Sequence, residues 1–381
     1  KVLSVFGTRP EAVKMCPLML KLQVNSAIES EVCLTGQHRE MLRQVVDLFG
    51  VRADYELDIM RPEQTLASIA CDVLERFDAV LVQSLPELVL VHGDTSTAFA
   101  AALAAFYRKI PVGHVEAGLR TYDKYSPFPE EMNRVLISRL ADLHFVPTEE
   151  NRACLLRENI RDNVFVTGNT VIDAFHTTLK RDYAFRNPRL ATLSFADRRT
   201  VLLTAHRREN LGRPLESIFA AVRALHDAFP DLQFVYPVHP NPRVREPAHR
   251  LLGDLPRVAL LPPLDVQDLH NLLARCALVM TDSGGLQEEA PFLGVPVLVL
   301  RTQTERAEAV EAGTAIIAGV ETGAIVQAAR RLLTDAEAYG RMAHAKNPYG
   351  DGYASERIVA HLIAWQARRG EPQCGKPLVF V

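Results

Sequence analysis

Apolar residues in this chain fall into short continuous runs separated by longer amphipathic stretches, and the alternation persists for most of its length. Runs at 2–6, 31–35, 88–92, 112–115, 143–146 and 164–167 have strand length, and the segments 10–24, 39–49, 64–83, 96–108 and 130–141 between them carry helical periodicity. Strand and helix in strict alternation predict a parallel, doubly wound sheet. The pattern then restarts, with strands at 200–205, 233–236, 258–261, 278–281 and 296–300 and helices at 215–229, 266–274 and 285–293. Residues 181–199 are polar and irregular, with Asn187-Pro188 as a turn signal, and predict a linker. The expected architecture is α/β: Rossmann-like, doubly wound domains over 1–180 and 200–350, facing each other across a cleft. An amphipathic helix at 352–369 follows a bend at Pro348, Gly350 and Gly352; it either caps the second domain or crosses back to the N-terminal one.

Composition narrows the class without changing it. At 381 residues the chain is too long for one ordinary core, and 48% hydrophobic with 23% charged residues is the balance of a water-soluble globular protein. A net charge of −3 offers no general field for nucleic acid or an anionic membrane, so an anionic ligand must be met by a local basic cluster. Cys16, Cys33, Cys71, Cys154, Cys276 and Cys374 are scattered with no metal-type spacing, which points to a reducing compartment. No charged-then-apolar leader and no membrane-length apolar run is visible, so the expected location is the cytoplasm.

The chemistry concentrates where the predicted strands end. Asp94 and Glu116 each close a strand, and Glu130 sits in the following loop, in 127–131 (PFPEE). Ligands of an open parallel sheet bind beyond its carboxyl ends. Carboxylates gathered there cannot all ionise alike, so acid and base roles become available near neutral pH. Taken singly, each is equally well read as a helix cap or a solvated acid. Gly7 before a proline-started helix, with Arg9 and Lys14, suits a phosphate at a helix N-terminus, although Arg9 alone also suits a surface ion pair. Ser283-Gly284-Gly285 repeats that arrangement after a strand: Ser283 is expected to cap the helix with its hydroxyl, the glycines to leave the first amides bare, and Glu289 to accept from a ribose diol. His206 ends another strand ahead of Arg207 and Arg208, where an imidazole can face an anion or serve only structurally.

The segments 7–14 (GTRPEAVK), 92–97 (HGDTST), 114–121 (HVEAGLRT), 127–134 (PFPEEMNR), 204–210 (TAHRREN), 281–291 (TDSGGLQEEAP) and 301–308 (RTQTERAE), in register, closely resemble the non-hydrolysing bacterial UDP-N-acetylglucosamine 2-epimerases. That resemblance implies a glycosyltransferase-B type fold and interconversion of UDP-N-acetylglucosamine (UDP-GlcNAc) and UDP-N-acetylmannosamine (UDP-ManNAc), for cell-surface polysaccharides. It implies elimination of UDP to 2-acetamidoglucal and re-addition, with no metal or nicotinamide cofactor, in a homodimer whose partner is its UDP-sugar substrate. It gives Asp94, Glu116 and Glu130 acid–base roles and His206 the departing diphosphate. Substrate contacts fall to Arg9, Lys14, Ser283, Gly284, Gly285, Glu289 and Arg306, with Leu269 where an aromatic often stacks near the uracil. Gln37, His38, Gln64, Arg207 and His239 match a second, allosteric UDP-GlcNAc site. Glu40 and Glu63 there oppose an added diphosphate, and Ala307 replaces a common proline. A hydrolysing 2-epimerase and a retaining UDP-sugar glycosyltransferase are the competing readings; a non-catalytic nucleotide-sugar binder has no use for the carboxylates.

Overall fold

A computed structural model describes residues 1–36, 39–61 and 63–370, with only the backbone described for 39–41 and 370. The chain forms two compact units: Lys1–Asp173 joined by the chain from Tyr353 onward, and Ala174–Gly352.

The first unit is built on a parallel sheet of β1 (Val2–Phe6), β2 (Ser30–Leu34), β3 (Tyr55–Glu56), β4 (Leu88–His92), β5 (Val112–Val115), β6 (Leu143–Val146) and β7 (Val164–Val166), in the order β3-β2-β1-β4-β5-β6-β7. Its inner strands are buried along both faces, which is why they read as unbroken apolar runs. Leu3, Val5, Val89 and Val91 pack against Val73 and Phe77 of the helix Leu66–Ser84 and against the alanine-rich helix Ser96–Tyr107. The helix Ala354–Gly370 packs on the helix Arg9–Gln23. Asp173 fixes its start by accepting from Ala354 N at 3.1 Å and Ser355 N at 2.6 Å.

The second unit holds β8 (Arg199–Thr204), β9 (Leu232–Pro237), β10 (Val258–Leu261), β11 (Cys276–Thr281), β12 (Val297–Val299) and β13 (Ala315–Ile317), parallel and ordered β10-β9-β8-β11-β12-β13. Successive residues feed opposite cores. Val201 and Leu203 join Phe234, Tyr236 and Met280 on one face, and Leu202 joins Val235, Val279 and Val297 on the other.

The stretch 181–199 is not a linker. The change of unit falls at Asp173/Ala174, and 181–199 lies within the second unit. Buried Asp268 captures it, accepting from Arg186 N at 3.0 Å and Asn187 N at 2.9 Å, while Leu190 enters the core at 0% exposure. Its polar side chains are mostly exposed, and Phe185, Leu193 and Phe195 join Leu190 in fastening it to the second core. No helix among the described residues is long and apolar enough to cross a membrane.

Candidate active site

In both sheets the strand order reverses once, between β1 and β4 in the first and between β8 and β11 in the second. The loops leaving those strands diverge and open a crevice at the carboxyl edge. The candidate residues collect there in each unit.

After β1, Thr8 and Glu11 form a capping box on the helix Arg9–Gln23. The Glu11 carboxylate accepts from Gly7 N at 2.9 Å and Thr8 N at 2.7 Å, and its other oxygen accepts from the Thr95 hydroxyl at 2.8 Å. Glu11 therefore ties the loop after β1 to the loop after β4, with Arg9 half-buried on one side and Asp94 on the other. Burial raises its pKa in spite of these donors.

Asp94 follows β4 through Gly93, whose φ of +62° is left-handed. Arg134 Nη2 donates to its Oδ2 at 2.5 Å, and Asn133 Nδ2 to its carbonyl at 2.9 Å. Burial pushes the Asp94 pKa up; Arg134 opposes this, while the charges of Glu116 and Glu130 reinforce it. The three acids therefore act on one another. Glu116, after β5, takes φ +61°, a conformation L-residues rarely adopt away from functional sites. It is ion-paired with Lys14, accepts from Asn169 Nδ2 at 2.8 Å, and lies 3.5 Å from His92 Nε2. Glu130 opens the helix Glu130–Leu140, where a carboxylate suits the positive end of the helix dipole. Neighbouring Glu131 is 2% exposed and accepts from Tyr122 N at 3.0 Å, fixing the loop ahead of Glu130.

Behind the acids lie the buried imidazoles His92, His114 and His144. Desolvation lowers their pKa values to about 4, about 3 and about 4. In the unfolded chain a histidine takes its proton near pH 6.5. Between the two values the unfolded state binds more protons, so stability should fall on acidification by roughly 1.4 kcal/mol per pH unit for each imidazole. The raised pKa values of Glu11 and Asp94 act in the opposite sense and offset part of the slope. Urea midpoints measured from pH 7 to 4.5 should decline; midpoints that rise on acidification would show that Glu11 and Asp94 outweigh the imidazoles.

In the second unit His206 follows β8 and Asp282 follows β11. Asp282 is fully buried, and one of its oxygens accepts from His206 N at 2.7 Å, Arg207 N at 2.8 Å and Asn210 Nδ2 at 3.0 Å. The His206 ring stands partly exposed, stacked on His239 at 5.5 Å between centroids. Burial lowers its pKa, Asp282 opposes this, and His239 and Arg207 add to it.

Ser283 precedes the helix Gly284–Phe292, but its hydroxyl makes no cap hydrogen bond, contrary to expectation. Its main-chain N–H is instead drawn to Thr281 Oγ1 at 2.9 Å, so the first-turn amides are not closed by Ser283. A Cβ on Gly284 would lie 3.5 Å from Arg306 Nη2 and 3.9 Å from Arg207 Nη2, which sets both guanidinium groups over this helix start. Arg306 Nε donates to buried Glu288 at 2.5 Å. Glu289 curls back toward Gly285, and Leu269 packs half-buried against the adjoining core.

Of the residues matched to a second nucleotide site, Gln37 and His38 lie outside the described residues, as do the side chain of Glu40 and Cys374. Gln64 is occupied locally, donating to Ile59 O at 2.8 Å and Asp72 Oδ2 at 2.9 Å. Glu63 is exposed, with φ +58°. Ala307 begins the short helix Ala307–Glu311 directly after Arg306.

Two parallel α/β units, each with charged groups gathered at its strand-order reversal, define a protein of the glycosyltransferase-B fold class. The family model for UDP-N-acetylglucosamine 2-epimerases matches residues 20–363. A Bacillus subtilis UDP-N-acetylglucosamine 2-epimerase is 54% identical over 372 residues, covering 97% of each chain. A Neisseria meningitidis UDP-GlcNAc 2-epimerase solved with UDP-GlcNAc superposes with TM-score 0.87 at 48% identity, over 95% of this chain and 99% of that one. A Staphylococcus aureus protein, MnaA, solved with UDP superposes with TM-score 0.87 at 49% identity, over 97% and 98%. The chain belongs to the UDP-N-acetylglucosamine 2-epimerase family.

Proposed function

We propose that this protein interconverts UDP-GlcNAc and UDP-ManNAc without hydrolysis, by eliminating UDP across C1–C2 and adding it back with the C2 proton delivered to the opposite face. The observation that carries the reading is the mutual placement of Asp94, Glu116 and Glu130 at the first switch point, where Asp94 is raised by burial and by the other two charges. A C2 proton is weakly acidic, so its removal is feasible only if C1–O cleavage builds positive charge at C1 as the proton leaves. Carboxylates suit both demands, as stabilisers of that charge and as proton carriers for the two faces. The diphosphate falls to the second unit, where Arg207, Arg306 and the helix start at Gly284 supply charge and N–H donors, and His206 assists its departure. The product, an activated N-acetylmannosamine, suits supply of cell-surface polysaccharide.

Incubation with UDP-GlcNAc, followed by NMR, tests this. UDP-ManNAc accumulating without net release of UDP supports the proposal. Free N-acetylmannosamine with stoichiometric UDP would mean hydrolysis instead.

The diphosphate assignment has its own test. Arg306→Ala should weaken UDP binding by about tenfold or more, the worth of one charge-assisted hydrogen bond of roughly 1.5–3 kcal/mol. The change also breaks the ion pair with buried Glu288, so Arg306→Ala combined with Glu288→Gln separates lost binding from lost folding. Calorimetry giving wild-type UDP affinity in the double variant would place the diphosphate away from Arg306.

A further inference from the structure

We infer that His270, wired through Thr178, is a positioning residue that aims the Glu289 carboxylate at the ribose of the bound nucleotide. The inference rests on reading Glu289 as the ribose acceptor.

His270 is 1% exposed on the helix Val266–Leu273. Phe175 packs against its ring at 4.4 Å between centroids and itself stacks on Phe292 at 5.3 Å, so the imidazole has one seat. Its Nδ1 meets the Thr178 hydroxyl at 2.7 Å, and its Nε2 lies 3.5 Å from Glu289 Oε2. Among the described residues that oxygen has no hydrogen-bond partner, although it is buried from solvent.

The Glu289 carboxylate decides the direction of the relay. The Thr178 hydroxyl has one proton and two acceptors in reach, Ala174 O at 3.0 Å and His270 Nδ1 at 2.7 Å. If Thr178 donates to Nδ1, the ring carries its proton on Nε2 and presents an N–H to Glu289. A neutral ring protonated only on Nδ1 would instead point a lone pair at a carboxylate oxygen, which is repulsive. The carboxylate therefore selects a ring with a proton on Nε2, and Thr178 supports that choice. At 3.5 Å the contact is an ion–dipole attraction rather than a full hydrogen bond. It holds Oε2 back toward the core, while Oε1 turns toward Gly285 at the helix start. A carboxylate held at one end by a buried imidazole presents a fixed edge to a vicinal diol, which binds it through both hydroxyls.

The diagnostic quantity is the preference for UDP over 2′-deoxy-UDP, measured by calorimetry. A merely structural role for His270 would weaken both nucleotides equally and leave the preference intact. The wild-type protein should bind UDP about tenfold or more tightly than its 2′-deoxy form, since one hydrogen bond to a charged group is lost. Glu289→Gln should lose most of this preference. His270→Asn keeps a polar group near the δ position but has nothing at the ε position; it should weaken UDP by about tenfold and leave 2′-deoxy-UDP unchanged. His270→Gln, which returns an N–H near the ε position, should restore part of the preference. Thr178→Val, close in size at a fully buried site, should lower it without removing the imidazole, and it carries the test should His270→Asn not fold. No wild-type preference at all would remove both the ribose reading and this inference. A preference lost in Glu289→Gln but kept in folded His270→Asn and Thr178→Val would overturn the positioning role alone.

Discussion

Glu116→Gln should lower kcat by roughly 10²–10⁴-fold while leaving UDP affinity close to wild type, because in the proposed mechanism Glu116 carries a proton and the diphosphate is held by the other unit. The glutamine matches the carboxylate in shape, so it can keep the bond from Asn169 Nδ2 that Glu116 accepts at 2.8 Å. It loses the charge that Lys14 pairs with, and the Glu116 side chain is only 8% exposed. Some stability should therefore be lost along with activity, and rates belong well below the melting temperature. Comparison with Lys14→Met separates the two effects. If the ion pair is only structural, both variants destabilise alike and Glu116→Gln keeps its turnover. If Glu116 carries a proton, its loss collapses kcat beyond what stability explains. Wild-type kcat in folded Glu116→Gln would remove Glu116 from the chemistry.

Much of this was legible because buried parallel strands have a signature that local sequence cannot hide. β1, β4, β5, β6 and β10 stand where the apolar runs put them. The misses have physical causes. β3 is two residues and β13 three, both on sheet edges where a ladder rather than an apolar run defines the strand. The helix Pro242–Leu252 has an internal Pro247, a residue that normally ends a helical pattern. The linker reading failed because the exposed polar side chains of the stretch outnumber the few apolar ones, Phe185, Leu190, Leu193 and Phe195, that pack on the second core, and its main-chain bonds to Asp268 leave no mark in the sequence.

At the site, the strand-end acids and the glycine turns announced themselves, and their partners did not. Arg134 reaches Asp94 across 40 residues and Asn169 reaches Glu116 across 53. No local pattern encodes such pairs; the strand order creates them. Glu11 differs in this respect. Thr8-Arg9-Pro10-Glu11 is a capping-box spacing ahead of an apolar run, and it could have been read directly.

Asp282→Ala should be the most destabilising single change at either site. Three donors converge on one oxygen of Asp282, two of them main-chain N–H groups of the loop that carries His206 and Arg207. Leaving a buried donor unmet costs about 1–3 kcal/mol, and breaking such a network by removing its charged centre costs about 3–5 kcal/mol in all. For a chain of 381 residues that corresponds to a fall in melting temperature of roughly 5 °C. Asp282→Asn is the informative contrast. Its amide oxygen can keep the position where the donors meet, while its NH2 turns to the other side, where His206 Nδ1 lies 3.5 Å from Asp282 Oδ1. That variant should therefore lose only about 1–2 kcal/mol. UDP affinity should follow the same order, because Arg207 and His206 hold their places only as long as the loop does. Calorimetric melting of both variants with and without UDP reads the two effects together. An alanine variant that melts with the wild type would mean that the loop is held by Asn210 Nδ2 bonding to Leu300 O at 3.0 Å, with Asp282 incidental to it.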